Sequence, residues 1–354
     1  MKKTGIAIVG YGGMGGWHCR KISEIDELEL IGVYDVLEER NNAAEANGIH
    51  AYASLSELLA DPAVTIVTVA IPNQLHKDVC IEAMKAGKHV VCEKPVALSH
   101  EELQQMIDAS KAYNVLFTVH QNRRWDEDYR TLRHIYEAGT LGKVFRIESR
   151  VQGSRGIPGD WRNQKACGGG MVLDWGVHLL DQIMLMIPNR IESIYANLSY
   201  VTNENCDDGF IVYIKFENEL TVVVEVGTSN FISLPRWYML GENGSAVIEN
   251  WAQDGKITMV SDWEKRDAVP VVTAAGLTKT MAPRTKETIK EYPLPKQRAD
   301  VREFYRNVIK AISGEEELSI KHSELMRVMH LMEAIFESAE QNKVILDFED
   351  RCLM

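Results

Sequence analysis

The chain has 354 residues, 45% hydrophobic and 25% charged, with a formal net charge of −12. That length exceeds one ordinary core and points to two domains. The acidic balance argues against a nucleic-acid partner, which would want a basic face, and no apolar run approaches a membrane span.

The first apolar run, Ile6-Ala7-Ile8-Val9, is too short for a signal peptide and reads as a first strand. Gly10-Tyr11-Gly12-Gly13-Met14-Gly15 follows and opens a helix to about residue 25. This is G-x-G-x-x-G in the context it requires. Gly10 allows a tight turn, Gly12 lets backbone approach a pyrophosphate, and Gly15 lets helix and strand pack closely. Gly13 and Met14 then lie at the helix N-terminus, which offers free amides to the phosphates. A second strand over 28–34 ends in Asp35, 20 positions after Gly15, the spacing of an acid that bonds a ribose 2′-hydroxyl. An acid there repels a 2′-phosphate, and Arg40 lies too far into the next helix to rescue one. The pattern favours NAD over NADP.

Helices are expected over 38–47 and from Ser54, and a strand over 65–71. That strand ends in Pro72-Asn73-Gln74-Leu75-His76. Asn73 and His76 either line the nicotinamide side or serve as loop polarity and helix caps. Helix 75–86, strand 88–92, helix 99–113 and strand 115–119 continue the alternation, for which a doubly wound parallel sheet of six strands is expected, five of them with a named run. Strand 88–92 runs into Glu93-Lys94-Pro95. A lysine at the carboxyl end of such a strand lies where open α/β sheets bind ligands. The proline fixes the backbone there, and the Lys94–Pro95 bond is a candidate for the cis form.

After His120 the alternation changes, which divides the chain into 1–121 and 122–354. Gln121-Asn122-Arg123-Arg124-Trp125 leads into a helix over 126–138, then a strand over 143–152. The glycine-rich stretch 153–170 is long enough to be a functional loop. It runs into a buried helix over 171–187, in which Asp174, His178 and Asp181 stand at i, i+4 and i+7 on one face. Such a polar stripe is either satisfied internally or aimed into a wet pocket. Trp161, Arg162 and Trp175 either stack on a sugar-like substrate or pack. Further strands are expected at 190–202, 208–216, 219–229, 236–241 and 244–250, with helices at 298–313 and 322–341. Residues 251–295 carry no clear pattern. The six cysteines form no CxxC pair and read as free thiols in a reducing cytoplasm. No compact His/Cys/Asp spacing suggests a metal.

In order, Gly10-x-Gly12-x-x-Gly15, Asp35, Pro72-Asn73-x-x-His76, Glu93-Lys94-Pro95 and Gly168-Gly169-Gly170-x-x-x-Asp174-x-Gly176-x-His178-x-x-Asp181 resemble the glucose-fructose oxidoreductase / inositol dehydrogenase / rhizopine catabolism protein family. The resemblance covers nearly the whole chain. It implies an α/β fold: an N-terminal Rossmann domain plus a C-terminal α+β domain with a large, mostly antiparallel open sheet. That sheet often forms the oligomer interface, so a homodimer or homotetramer is implied. Gly10, Gly12, Gly13, Met14, Gly15, Asp35, Pro72, Asn73, His76, Glu93 and Lys94 would hold NAD. Lys94, Asp174 and His178 would form the catalytic group, with Arg124, Trp161 and Arg162 around a sugar or polyol. His178 is a suitable proton acceptor near neutral pH, and Lys94 can stabilise alkoxide charge. The family also leaves open a redox-neutral, NAD-dependent glycoside cleavage, and the same fold can serve as a non-catalytic sugar or NAD sensor.

Overall fold

The computed structural model describes residues 3–265 and 267–352. Five short strands form the first sheet: β1 (Thr4–Val9), β2 (Leu28–Tyr34), β3 (Ile66–Val69), β4 (His89–Cys92) and β5 (Phe117–Val119). They are parallel, in the order β2-β1-β3-β4-β5. β3 and β5 are buried along their whole length, as suits parallel strands covered by helices. The covering helices are α1 (Gly13–Ile22), α2 (Glu38–Ala46), α3 (Leu55–Ala60), α4 (His76–Lys85) and α5 (His100–Ala112).

The sheet has five strands where six are expected. The sixth position, outside β2, is one residue long: Ala51 bridges Val33 in parallel. Val33 N–H donates to His50 O, and Tyr52 N–H donates to Val33 O, both at 2.8 Å. Eight residues separate α2 from α3, and two of them are already spent: Gly48 is left-handed after α2, and the Ser54 hydroxyl caps α3 by accepting from Glu57 N–H. Too little chain remains for an extended strand.

The second sheet holds eight strands: β6 (Val144–Gln152), β7 (Ile191–Ser199), β8 (Gly209–Phe216), β9 (Thr221–Gly227), β10 (Trp237–Gly241), β11 (Gly244–Ile248), β12 (Gly255–Val260) and β15 (Ile289–Tyr292). Between the last two lies a hairpin, β13 (Val271–Thr273) and β14 (Gly276–Thr278). The order is β15-β12-β11-β10-β6-β9-β8-β7, antiparallel except for β6 with β9. β8 alternates as a one-sided strand must: Phe210, Val212, Ile214 and Phe216 are buried, while Tyr213 and Lys215 face outward. Through β7 the sheet packs on α9 (His322–Gln341), which in turn packs on α7 (Val177–Met186). α6 (Glu127–Glu137), α8 (Arg302–Ile312) and the short α10 (Phe348–Arg351) complete the fold. α8 packs back on the first domain, where the Tyr305 hydroxyl lies 2.8 Å from His18 Nδ1. The stretch 251–295, unreadable in sequence, supplies β12 to β15.

One element differs in kind. The chain before α7 is a π-helical turn, Val172–Gly176, and not the first turn of one α-helix. Gly170 enters it at φ +102°, and a Cβ there would lie 2.1 Å from Asp207 Oδ1. Asp207 Oδ2 accepts from Val172 N–H at 2.8 Å, so the acid holds the start of the turn. Such turns place side chains off the ordinary helical stripe and recur at functional sites.

Candidate active site

The glycine turn is built as its spacing implies. Gly10 takes φ +95°, and its N–H donates to Tyr34 O at 2.7 Å. A Cβ on Gly15 would lie 1.9 Å from Gly10 O, so only glycine permits this contact. Around Gly12 and Gly13, by contrast, no backbone comes near, and α1 has no side-chain cap. Free amides at an open helix N-terminus suit a pyrophosphate, and Met14 lies in that first turn.

Asp35 closes the ribose end. It is buried, its Oδ2 accepting from Tyr11 N–H at 2.8 Å and its Oδ1 from Leu37 N–H at 2.9 Å. The carboxylate thereby ties the glycine turn to the end of β2. Arg40 also reaches it: Nη1 lies 3.2 Å from Asp35 Oδ2, and the guanidinium is the nearest group to Gly12. The expectation that Arg40 lies too far away is therefore corrected. α2 begins at Glu38, so Arg40 stands in its first turn and folds back over the crevice.

At the end of β3, after Pro72, two residues prove to be ties. Asn73 is buried, and its Nδ2 donates to Gly168 O at 3.0 Å, joining the first domain to the triple-glycine stretch. His76, fully buried, sits between Pro95 O at 2.9 Å and Ile71 O at 2.8 Å. Burial pushes its pKa down. It links the loop after β3 to the turn after β4, where the Lys94–Pro95 bond is cis.

Glu93 points away from the crevice. Its Oε1 accepts from His18 Nε2 and His120 Nδ1, both at 2.8 Å. Burial alone would raise this carboxyl, but the two imidazoles outweigh burial and hold it well below the carboxylate range. This sealed network anchors the end of β4 and occupies the Glu93 oxygen Oε1 internally. Its neighbour turns the other way. Lys94 Nζ donates to Asp174 Oδ1 at 3.1 Å and to Asp174 O at 3.0 Å, across the two domains. Both side chains keep a little exposure. Arg162 Nε stands 3.7 Å from the other Asp174 oxygen, and the Arg162 guanidinium lies 4.5 Å from the Trp161 ring centre.

His178 is buried at 4% exposure. Its Nδ1 is fully buried without a partner, and no hydrogen bond engages Nε2 among the described residues, which leaves Nε2 as the atom open to the cleft. Burial first, then the charges of Lys94 and Arg123, push its pKa well below the ordinary 6.5. The imidazole is therefore held neutral, the form with a free ring nitrogen. The π turn separates the stripe read from the sequence. Asp174 pairs with Lys94, while Asp181 accepts from Arg124 Nε at 2.8 Å and Nη2 at 2.6 Å.

Arg124 is accordingly removed from the substrate shell. It is 7% exposed and clamped by Asp181 and Glu324, an internal structural pair. Its neighbour Arg123 pairs through Nη1 with Asp126 Oδ2 at 2.9 Å and lies 4.2 Å from the Trp175 ring centre and 5.1 Å from that of Trp251, with its Nε unpartnered. The short helical turn Asn122–Trp125 sends the two arginines to opposite sides. The doublet was visible in sequence; which member faces the site was not.

The parallel sheet, its glycine turn and the acid after β2 make the first domain a Rossmann fold of the dinucleotide-binding kind. Residues 4–121 match the model described as the oxidoreductase family, NAD-binding Rossmann fold, and residues 129–247 match the GFO/IDH/MocA C-terminal domain. The chain belongs to this family. Among solved structures it is similar to an NAD-binding protein from Listeria innocua, 45% identical, with a TM-score of 0.95, covering 98% of this chain and 100% of that one. It is 31% identical to the myo-inositol 2-dehydrogenase of Thermotoga maritima over 62% of this chain and 67% of that protein. It is 24% identical to the scyllo-inositol 2-dehydrogenase (NADP(+)) IolW of Bacillus subtilis over 96% of this chain and 95% of that protein.

Proposed function

We propose that the chain is an NAD-dependent dehydrogenase that moves hydride between nicotinamide and the carbinol carbon of a secondary hydroxyl in a sugar, sugar derivative or polyol. The observation that carries this reading is the Lys94–Asp174 pair across the cleft at the end of β4, with His178 neutral beside it. Bound nicotinamide supplies the two-electron acceptor. His178 Nε2 takes the hydroxyl proton. Lys94 Nζ, steered by Asp174, donates to the same oxygen and stabilises its developing negative charge. Trp161, Arg162, Trp175 and Arg123 form the wall on the substrate side. A polyol fits the names of the two inositol dehydrogenases, to which the chain is similar over much of its length. The division at 121/122, a cytoplasmic setting and pairing of copies through the outer face of the eight-stranded sheet complete the proposal.

The test is NADH formation, followed by absorbance, with a panel of inositols, aldoses, sugar acids and glycosides, NAD and NADP side by side. Steady NADH from one of these supports the dehydrogenase. Silence across the panel with NAD bound overturns it, and cleaved glycoside in the same mixtures would mark redox-neutral chemistry instead.

A further inference from the structure

Two groups of His and Glu gather in space although they are far apart in sequence. His18, Glu93 and His120 form the first. Both imidazoles donate to Glu93 in a sealed interior, so hydrogen bonds account for the atoms that face one another, and only His120 Nε2, a buried nitrogen, stays without a partner. His100, His330 and Glu333 form the second, and hydrogen bonds leave part of it unexplained.

His100 begins α5, directly after the Ser99 cap. His330 and Glu333 lie at i and i+3 on α9, which packs against α5. Glu333 Oε1 accepts from His100 N–H at 2.8 Å. Glu333 Oε2 lies 2.7 Å from His100 Nδ1 and 3.8 Å from His330 Nδ1. The second distance is too long for a hydrogen bond. His330 has no hydrogen-bond partner among the described residues, yet its ring lies 4.3 Å from that of His100, the planes 35° apart. His100 is also flanked on its other nitrogen by Glu101, with Nε2 3.4 Å from Oε1. Two imidazoles and the Glu333 carboxylate thus converge, their ligand atoms within 4.8 Å of one another, with one imidazole idle.

We propose that His100, His330 and Glu333 bind one zinc-like divalent cation, which clasps α5 of the Rossmann domain to α9 of the C-terminal domain. Tetrahedral zinc with nitrogen and oxygen ligands at about 2.0–2.1 Å sets those atoms about 3.3 Å apart. The distances of 2.7 Å and 3.8 Å bracket that edge, so a small rotation of each ring completes three ligands. Solvent takes the fourth place, since the His100 and Glu333 side chains are about one-third exposed and admit an ion. The Glu333 oxygen that holds the α5 amide orients the carboxylate and leaves Oε2 for the metal. A donor set of two imidazoles and one carboxylate selects zinc, cobalt, nickel or copper over magnesium or calcium, which prefer oxygen ligands. Residues 100 and 330 are too distant in the chain for any ligand spacing to reveal the site.

The experiment is calorimetric titration of the full chain, stripped with a chelator, with zinc chloride, alongside thermal melts. One zinc per chain is expected, with a rise in Tm of about 3 °C when zinc exceeds its Kd about a hundredfold. His330→Ala should weaken binding at least about tenfold. His100→Gln should do the same, and serves if the first variant melts early in chelator. Cobalt should give visible absorption bands of a four-coordinate ion. No zinc uptake, or uptake unchanged in a folded variant, overturns the proposal.

Discussion

Arg40 stands with Asp35 at the end of β2, where the proposed ribose site lies. The acid has both oxygens bonded to backbone amides, while the arginine side chain is about half exposed and free to swing. An arginine there offers a 2′-phosphate a charge-assisted partner that Asp35 alone would repel. Arg40→Ala is therefore expected to weaken binding of NADP, or of adenosine 2′,5′-bisphosphate, about tenfold while changing NAD affinity far less. Calorimetry with both nucleotides reads this directly; equal losses would mean that Arg40 acts only through the Asp35 turn. At this scale the sequence was legible where chemistry is local. Gly10, Gly15 and Asp35 answer to neighbours a few residues away or one strand over. Glu93 and Lys94 are adjacent yet serve opposite sides of β4, one held by His18 and His120, the other by Asp174. No local pattern carries that difference.

The π turn is the element on which the site depends. A 3.6-residue period places Asp174, His178 and Asp181 in one stripe. The wider turn over Val172–Gly176 instead delivers Asp174 to Lys94 and leaves His178 in the cleft. Gly170 and Asp207 impose that turn. Burial pushes the Asp207 carboxyl up to about 7, although two amides hold it. Gly170→Ala would put a Cβ against Asp207 Oδ1 at a left-handed φ. A loss of about 1–3 kcal/mol in stability is expected, with a larger proportional fall in kcat than in NAD affinity. Denaturant unfolding and NAD titration of the variant check both; an unchanged kcat would detach the turn from catalysis. Elements with strong local signals, such as the capped helices α3 and α5 and the alternating strand β8, were legible. The π turn was not, because it results from packing against Asp207, 37 residues beyond Gly170. The single-residue bridge at Ala51 was lost for the opposite reason: it is too short to leave a pattern.

Across the whole molecule, buried histidines tie folding to pH. Burial lowers the pKa of His18, His76 and His178 from 6.5. The unfolded chain takes up protons near 6.5 that these folded sites refuse, so stability falls as pH drops through that value. Glu93 adds to this at lower pH: its folded pKa lies below 4.5, and its stabilising contribution is lost as acid protonates it. Asp207, pushed up to about 7, works the other way by taking a proton in the fold over the same range, so Tm at pH 5.5 is expected only about 3 °C below that at pH 7.5; an equal or higher value would mean that the histidines do not dominate the pH dependence. The two-domain plan and the parallel and antiparallel sheets were legible from the strand pattern, but the contacts between domains were not. Asn73 with Gly168, Tyr305 with His18, and Lys94 with Asp174 each join residues 80 or more apart. The last of these carries the proposed chemistry. The most direct test is therefore Lys94→Ala, with NADH formation on the best substrate and NAD affinity measured on the same sample. Turnover should fall by at least about a thousandfold with NAD affinity nearly kept, whereas full turnover would take the lysine, and the mechanism built on it, out of the active site.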